Sequence, residues 1–304
     1  MTTAMTCSWL DEATRDLEML PPSAGPAVGR RIARAVARLS RINGGSGLGD
    51  AFTRPGTTPF VRAIDALAAD LGLSGDPRVA LVGRATVLLY LYVRMQDDLV
   101  DEEEQVDRAT VFAMELVLSK HLALLADAGL SHDGQRARSD IMARFADVAA
   151  DELDLRAEAK ALPVERLGDK FLPMAVPLVA LASIAGRDAI GDALVSFVQT
   201  VGSSLQWIND VLNAAEDRAL ARPTSLLSAA SPETAHLRGN DLRAALLSDP
   251  ATRTHLDQAR RGAERAAEAA RALGLPALGA VAAAVASNVS ATDGRLLAIM
   301  LGER

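Results

Sequence analysis

The chain has 304 residues, 49% of them hydrophobic and 23% charged, and carries a net charge of −7. It is long enough for a sizeable core and too apolar for disorder. The acidic balance and the lack of a basic face argue against a nucleic-acid partner, and an anionic substrate would need a cation as adaptor.

The N-terminus, MTTAMTCSWLDEATR, has neither the basic region nor the apolar stretch of a signal peptide, so a cytoplasmic protein is expected. Its one cysteine, Cys7, excludes an intrachain disulfide, and His121, His132, His236 and His255 are too scattered for a zinc site. Helix formers dominate and no alternating run marks a strand, so we expect an all-α single domain over residues 1–304. In chain order the helices are expected at 8–19, 27–42, 59–72, 77–104, 107–128, 133–160, 164–186, 188–220, 250–273 and 276–301. Asp76-Pro77 reads as an N-cap followed by proline at the first helical position. Residues 44–59, GGSGLGDAFTRPGTTP, read as a connector, because no strand precedes the glycines and no GK[ST] follows them. Residues 221–233 read as a second loop. The apolar run at 171–186, interrupted by Pro173 and Pro177, is short for a membrane span and reads as a buried, kinked helix.

Two polar clusters interrupt this pattern. In LLYLYVRMQDDLVDEEE, residues 88–104, Asp97, Asp98 and Asp101 fall near one helix face, on a stripe shared with Tyr90 and Arg94. Carboxylates so placed repel one another at a helix end that already disfavours negative charge, and both costs fall if hard divalent cations bind between them. Residues 102–104 read as a solvated helix end. In SLQWINDVLNAAEDRALARPTS, residues 204–225, Asn209, Asn213 and Asp217 stand at i, i+4 and i+8, which lines up oxygen ligands over two turns. Gln206 and Gly202 extend that face, and Asp210 and Glu216 flank it. Arg218 and Arg222 suit the helix C-terminus and would equally suit a bound diphosphate.

These motifs resemble the paired metal motifs of the class I isoprenoid synthase superfamily. Asp97-Asp98-Leu-Val-Asp101 matches DDxxD in full. Asn209, Asp210, Asn213 and Asp217 stand at the positions of the second motif of class I terpene cyclases, with Asn213 for Ser or Thr and Asp217 for Glu. Gln206, Asn209 and Asn213 are similar to the second motif of trans-prenyl diphosphate synthases. YVRMQDDLVDE with LQWIND is similar to squalene and phytoene synthases. The resemblance implies a helical bundle around a central apolar cavity and a cluster of about three Mg²⁺ ions at its mouth. It implies Asp97, Asp98, Asp101, Asn209, Asn213 and Asp217 as metal ligands. Lys170, Arg166, Arg218 and Arg222 would contact diphosphate, and Tyr90, Phe171, Phe197 and Trp207 would line the cavity. The substrate is a prenyl diphosphate, a homodimer is common in the superfamily, and neither nucleic acid nor stable membrane insertion is expected.

Between the activities of this superfamily, the basic residues point to a terpene cyclase acting on geranylgeranyl or farnesyl diphosphate, with a prenyltransferase as the alternative. Chain elongation needs a second basic pocket for isopentenyl diphosphate. The early loop offers only Arg54, and EEEQVDR after Asp101 offers three glutamates before Arg108. Carbonyls freed by Pro173 and Pro177 would help a cyclase hold a carbocation, although a plain packing kink explains the prolines equally well.

Overall fold

The computed structural model describes residues 9–42, 59–100, 107 and 109–300, with the side chains of 40–42, 100 and 292–300 excepted. Among the described residues the chain forms α-helices and short 3-10 segments and no strand, as composition implies. The helices are α1 (Leu10–Ser23), α2 (Pro26–Ile42), α3 (Pro59–Asp70), α4 (Pro77–Val100), α5 (Thr110–Asp127), α6 (His132–Ala157), α7 (Ala175–Ile184), α8 (Gly191–Ala219), α9 (Ser225–Ala229), α10 (Gly239–Ser248), α11 (Pro250–Ala272) and α12 (Pro276–Met300). Contacts divide the chain into two compact units, one of Met1–Ser139 with Pro173–Leu194, the other of Asp140–Leu172 with Val195–Arg304.

In the first unit α4 packs against α1, α2, α3, α5 and α7. Its N-terminus is built as the sequence predicts: Asp76 accepts the Arg78 N–H at 2.8 Å, and Pro77 takes the position whose N–H would be unpaired. Val82, Ala85, Leu88, Leu89, Leu91 and Met95 are buried around several sides of this helix, which explains why its apolar residues show no single face.

Burial also decides a charge state here. His121 of α5 is 1% exposed, and its Nδ1 donates to the Ala85 carbonyl of α4 at 2.8 Å. Burial pushes the imidazole from its ordinary 6.5 down to about 4; the Ala85 bond opposes this and the charge of Arg138 adds to it. The ring is therefore neutral in the folded chain, and between pH 6.5 and 4 the unfolded chain binds the extra proton. Stability should fall as pH drops through that window, by at most about 3 kcal/mol. Urea unfolding at pH 7 and pH 4.5 checks this: His121→Leu should flatten the loss, and an unchanged loss in that variant would refute it.

The apolar run at 164–184 is a 3-10 segment, Val164–Met174, followed by α7, in place of the single kinked helix expected. Pro173 lies inside the first piece, one residue before its end. Pro177 sits in the first turn of α7, where N–H groups have no intrahelical acceptor, so it frees no interior carbonyl. Pro177 therefore frees no carbonyl for the carbocation role expected of it. The run is long and apolar enough to cross a membrane, but 78% of its most apolar window is buried inside the protein.

In the second unit α11 packs against α9, α10 and α12. The short helices α9 and α10 were absent from the sequence reading. α9 falls inside the expected loop at 221–233, and rests on the Thr224 side chain, which accepts the Leu227 N–H, and on Leu226, which is fully buried. α10 rests on Leu242 and Leu246, two apolar positions that are too few to show a period. α8 and α11 come close at Gly262, where an added Cβ would lie 2.6 Å from the Ser204 hydroxyl oxygen. Gly262→Ala should cost about 1–3 kcal/mol by overpacking. On a Ser204→Ala background the same change should become neutral or stabilising, because alanine is the better helix former. Thermal melts of the four chains test this, and purely additive effects would exclude the contact as the cause.

Candidate functional site

The first motif sits at the end of α4. Asp98 is 7% exposed and lies 3.4 Å from Arg38 of α2 and 3.7 Å from Arg94 of its own helix. Asp97 is half-buried and pairs with Arg94 at 3.2 Å. The repulsion foreseen between neighbouring carboxylates is thus met partly by arginines. Asp101 lies outside the described residues, with residues 102–104, Arg54, Arg108 and the connector at 44–58. Arg31, Arg34 and Arg38 stand at i, i+3 and i+7 on α2, and the first also pairs with Asp107, just beyond the acidic run. This row lies outside the loops next to the motif, from which the supply of cations was expected. Its spacing was visible in RRIARAVAR.

The second motif occupies the last turns of α8. Asn209 and Asn213 are exposed and Asp217 is half-buried, so their oxygens line an accessible side of the helix. Asp210 is 2% exposed and turned inward, where Gln206 and Ser225 hydrogen-bond it. Arg218 and Arg222 line one cleft of about 410 Å³ with Pro223, Leu227 and Ser231, and the Arg218 Nη1 donates to the Ala235 carbonyl at 2.6 Å.

Arg166 and Lys170 lie on the 3-10 segment and face α6. Arg166 pairs with Asp151 and, at 3.6 Å, with Asp169. Lys170 Nζ donates to Glu152 Oε1 at 2.8 Å, and Arg156 reaches the same oxygen at 2.8 Å. Burial works to raise the Glu152 carboxyl, but the two cations and their hydrogen bonds outweigh it and hold it below the usual carboxylate range. Tight packing fixes this segment. A Cβ on Gly168 would stand 2.1 Å from the Gln199 carbonyl oxygen, and Phe171 lies flat against Gly202.

Of the expected cavity residues, Tyr90 and Phe171 are half-buried and Phe197 is buried. Trp207 belongs to a core cluster with Val148, Leu167, Val211 and Leu256, and its indole N–H finds no partner among the described residues.

The donor set is made of carboxylate and carboxamide oxygens, with accessible members at Asn209, Asn213 and Asp217, which suits a hard cation such as Mg²⁺ and not zinc. Among the described residues no three His, Cys, Asp or Glu side chains converge as a metal site on their own.

No protein-family model and no curated protein matches the chain. Solved structures do match. A protein of Corynebacterium glutamicum, named as a candidate geranylgeranyl pyrophosphate synthase, is 18% identical with a TM-score of 0.64, over 92% of this chain and 96% of that one. The geranylgeranyl pyrophosphate synthetase of the archaeon Geoglobus acetivorans is 15% identical with a TM-score of 0.60, over 92% and 99%. A geranylgeranyl pyrophosphate synthase of Corynebacterium glutamicum, solved with isoprenyl diphosphate and magnesium, is 17% identical with a TM-score of 0.52, over 90% and 98%. The chain therefore has the all-α isoprenoid synthase fold.

Within that fold the neighbours are geranylgeranyl pyrophosphate synthases, which are prenyltransferases, and this overturns the expectation of a terpene cyclase and of lyase chemistry. Positive charge near the first motif is not confined to nearby sequence, because α2 brings Arg38 to Asp98 from about sixty residues away.

Proposed function

We propose that the chain is a Mg²⁺-dependent prenyltransferase that joins an allylic prenyl diphosphate to isopentenyl diphosphate. The observation that carries this is the likeness, over at least 90% of both chains, to geranylgeranyl pyrophosphate synthases, one of them holding isoprenyl diphosphate and magnesium. The arginine row of α2 supports it, since a second diphosphate needs cations that are not already occupied by the first.

Asp97 and Asp98, with Asp101, would hold Mg²⁺ at the first motif, and Asn209, Asn213 and Asp217 at the second. The bound metal would neutralise the leaving diphosphate. Arg218 and Arg222 add positive charge near the second motif, and Lys170 and Arg166 are further candidates once they exchange a carboxylate for diphosphate. The allylic C–O bond breaks, the double bond of isopentenyl diphosphate supplies the electrons for the new C–C bond, and a proton leaves. Pyrophosphate is released, and the product keeps the second diphosphate.

Incubation with labelled isopentenyl diphosphate and a panel of allylic diphosphates tests the reading. A longer prenyl diphosphate should form, cease in EDTA and return with Mg²⁺ but not require Zn²⁺. Turnover of an allylic diphosphate alone to a hydrocarbon, or full turnover in chelator, would overturn it.

A further inference from the structure

A buried polar chain ties down the second motif, and none of the expected metal ligands belongs to it. Both carboxylate oxygens of Asp210 are in use: Oδ1 accepts from Gln206 Nε2 at 2.8 Å, and Oδ2 accepts from the Ser225 N–H at 3.2 Å and its hydroxyl at 2.6 Å. The Ser225 oxygen lies 2.9 Å from His255 Nε2, and His255 Nδ1 lies 2.8 Å from the Ala251 carbonyl. That carbonyl can only accept, so Nδ1 donates to it. The hydroxyl donates its one proton to the carboxylate, and the Nε2 atom stands within hydrogen-bond distance of the same oxygen.

Asp210, Ser225 and His255 are 2%, 7% and 5% exposed, so the carboxylate faces its hydrogen-bond donors inside the protein. The order is carboxylate, hydroxyl, imidazole, with the hydroxyl in the middle and buried, so this is not an activated nucleophile, in which the base would sit between the other two.

Position gives the chain its role. On an α-helix Asn209, Asn213 and Asp217 lie roughly 20–100° around the axis from Asp210. Pinning Asp210 inward therefore sets the rotation that leaves Asn209 and Asn213 on the accessible side and Asp217 half-buried, nearer the face of Asp210 itself. The same bonds hold Ser225 at the start of α9 and so fix residues 220–224, which carry Arg222. The close approach at Gly262 and Ser204, two turns along both helices, brings α11 near enough for His255 to reach Ser225.

We propose that Ser225 and His255 are positioning residues for the second metal-binding motif, acting through Asp210, which serves as a strut and not as a ligand. This rests on the function proposed above.

The test measures the Mg²⁺ dependence of prenyl transfer, the split between kcat and KM, and calorimetric binding of pyrophosphate with Mg²⁺. Ser225→Ala and His255→Leu should raise the Mg²⁺ concentration for half-maximal rate by about tenfold, the low end of what groups beyond the ligands contribute to metal affinity. They should lower kcat while KM for the allylic substrate stays within about twofold. His255→Gln, whose amide can still hydrogen-bond the Ser225 hydroxyl, should recover most of the rate. Leu246→Ala, buried in the same unit, is the control for lost stability. An equal Mg²⁺ shift in that control, or no shift in Ser225→Ala, overturns the proposal. A wild-type chain that binds Mg²⁺ and pyrophosphate but transfers no prenyl group defeats the proposed function alone, because the binding shifts still decide the positioning role. A wild-type chain that binds neither defeats both.

Discussion

Asp98→Asn should reduce kcat by at least about a hundredfold, on the scale of losing a major electrostatic element of an active site. The substitution keeps the shape of the side chain and removes one negative charge from the motif proposed to hold Mg²⁺. It also leaves Arg38 and Arg94 facing an amide, so stability should fall as well. That loss should stay near 1–2 kcal/mol, because both guanidiniums remain about a third exposed and solvent screens them. The two effects separate by comparison. Asn213→Ala and Asp217→Ala should lose rate with little change in melting temperature, since Asn213 is exposed and Asp217 half-buried. Glu103→Ala should be close to neutral. Steady-state kinetics beside thermal melts decide the matter. A chain in which Asp98→Asn melts lower but turns over within threefold of wild type would reduce Asp98 to an ion-pair partner of two arginines.

Gly168→Ala should be the most damaging single methyl group in the second unit. An added Cβ would meet the Gln199 carbonyl oxygen at 2.1 Å and its carbon at 2.8 Å, and both belong to the backbone of α8, which cannot turn aside as a side chain can. Overpacking of this kind costs about 1–3 kcal/mol, and contact with backbone belongs at or beyond the top of that range. Relief requires the 3-10 segment to lift from α8, and that segment carries Arg166 and Lys170 together with their pairings to Asp151 and Glu152. Activity should therefore drop in molecules that remain folded. Residual activity measured well below the melting temperature, together with the melt itself, tests this. A melting temperature within about 2 °C of wild type would mean the contact is looser than the geometry states.

Much of the fold was legible in the sequence because its signals are local. Proline at 59, 77, 250 and 276 marks helix starts that the structure keeps, Asp76 caps its first turn as its place before Pro77 predicts, and Asp249 does the same before Pro250. The boundaries that moved did so for equally local reasons. α6 ends at Ala157 because Ala159 turns left-handed and the Lys160 N–H closes on the Leu155 carbonyl. The two short helices went unseen because each is held by one or two buried leucines and a cap, which is tertiary support without a period.

The candidate site divides along the same line. The spacing of Asp97 to Asp98 and of Asn209 to Asn213 and Asp217 is a property of one helix each, so the sequence alone places them on a common face and identifies the hard-oxygen character of the donors. Which cations stand beside those oxygens is set by contacts between residues far apart in the chain. Arg38 reaches Asp98 across sixty positions, Lys170 is committed to Glu152, and Asp210 turns inward to Ser225 and His255 although its neighbours in the motif face outward. A carboxylate's role depends on whether it is buried against donors or left open to solvent, and burial is decided when helices pack. The sequence by itself therefore determined an all-helical chain of the isoprenoid synthase fold and the two clusters of oxygen donors on its helices. Only the tertiary structure decided where the positive charge lies, and the reading of the chemistry depended on that charge.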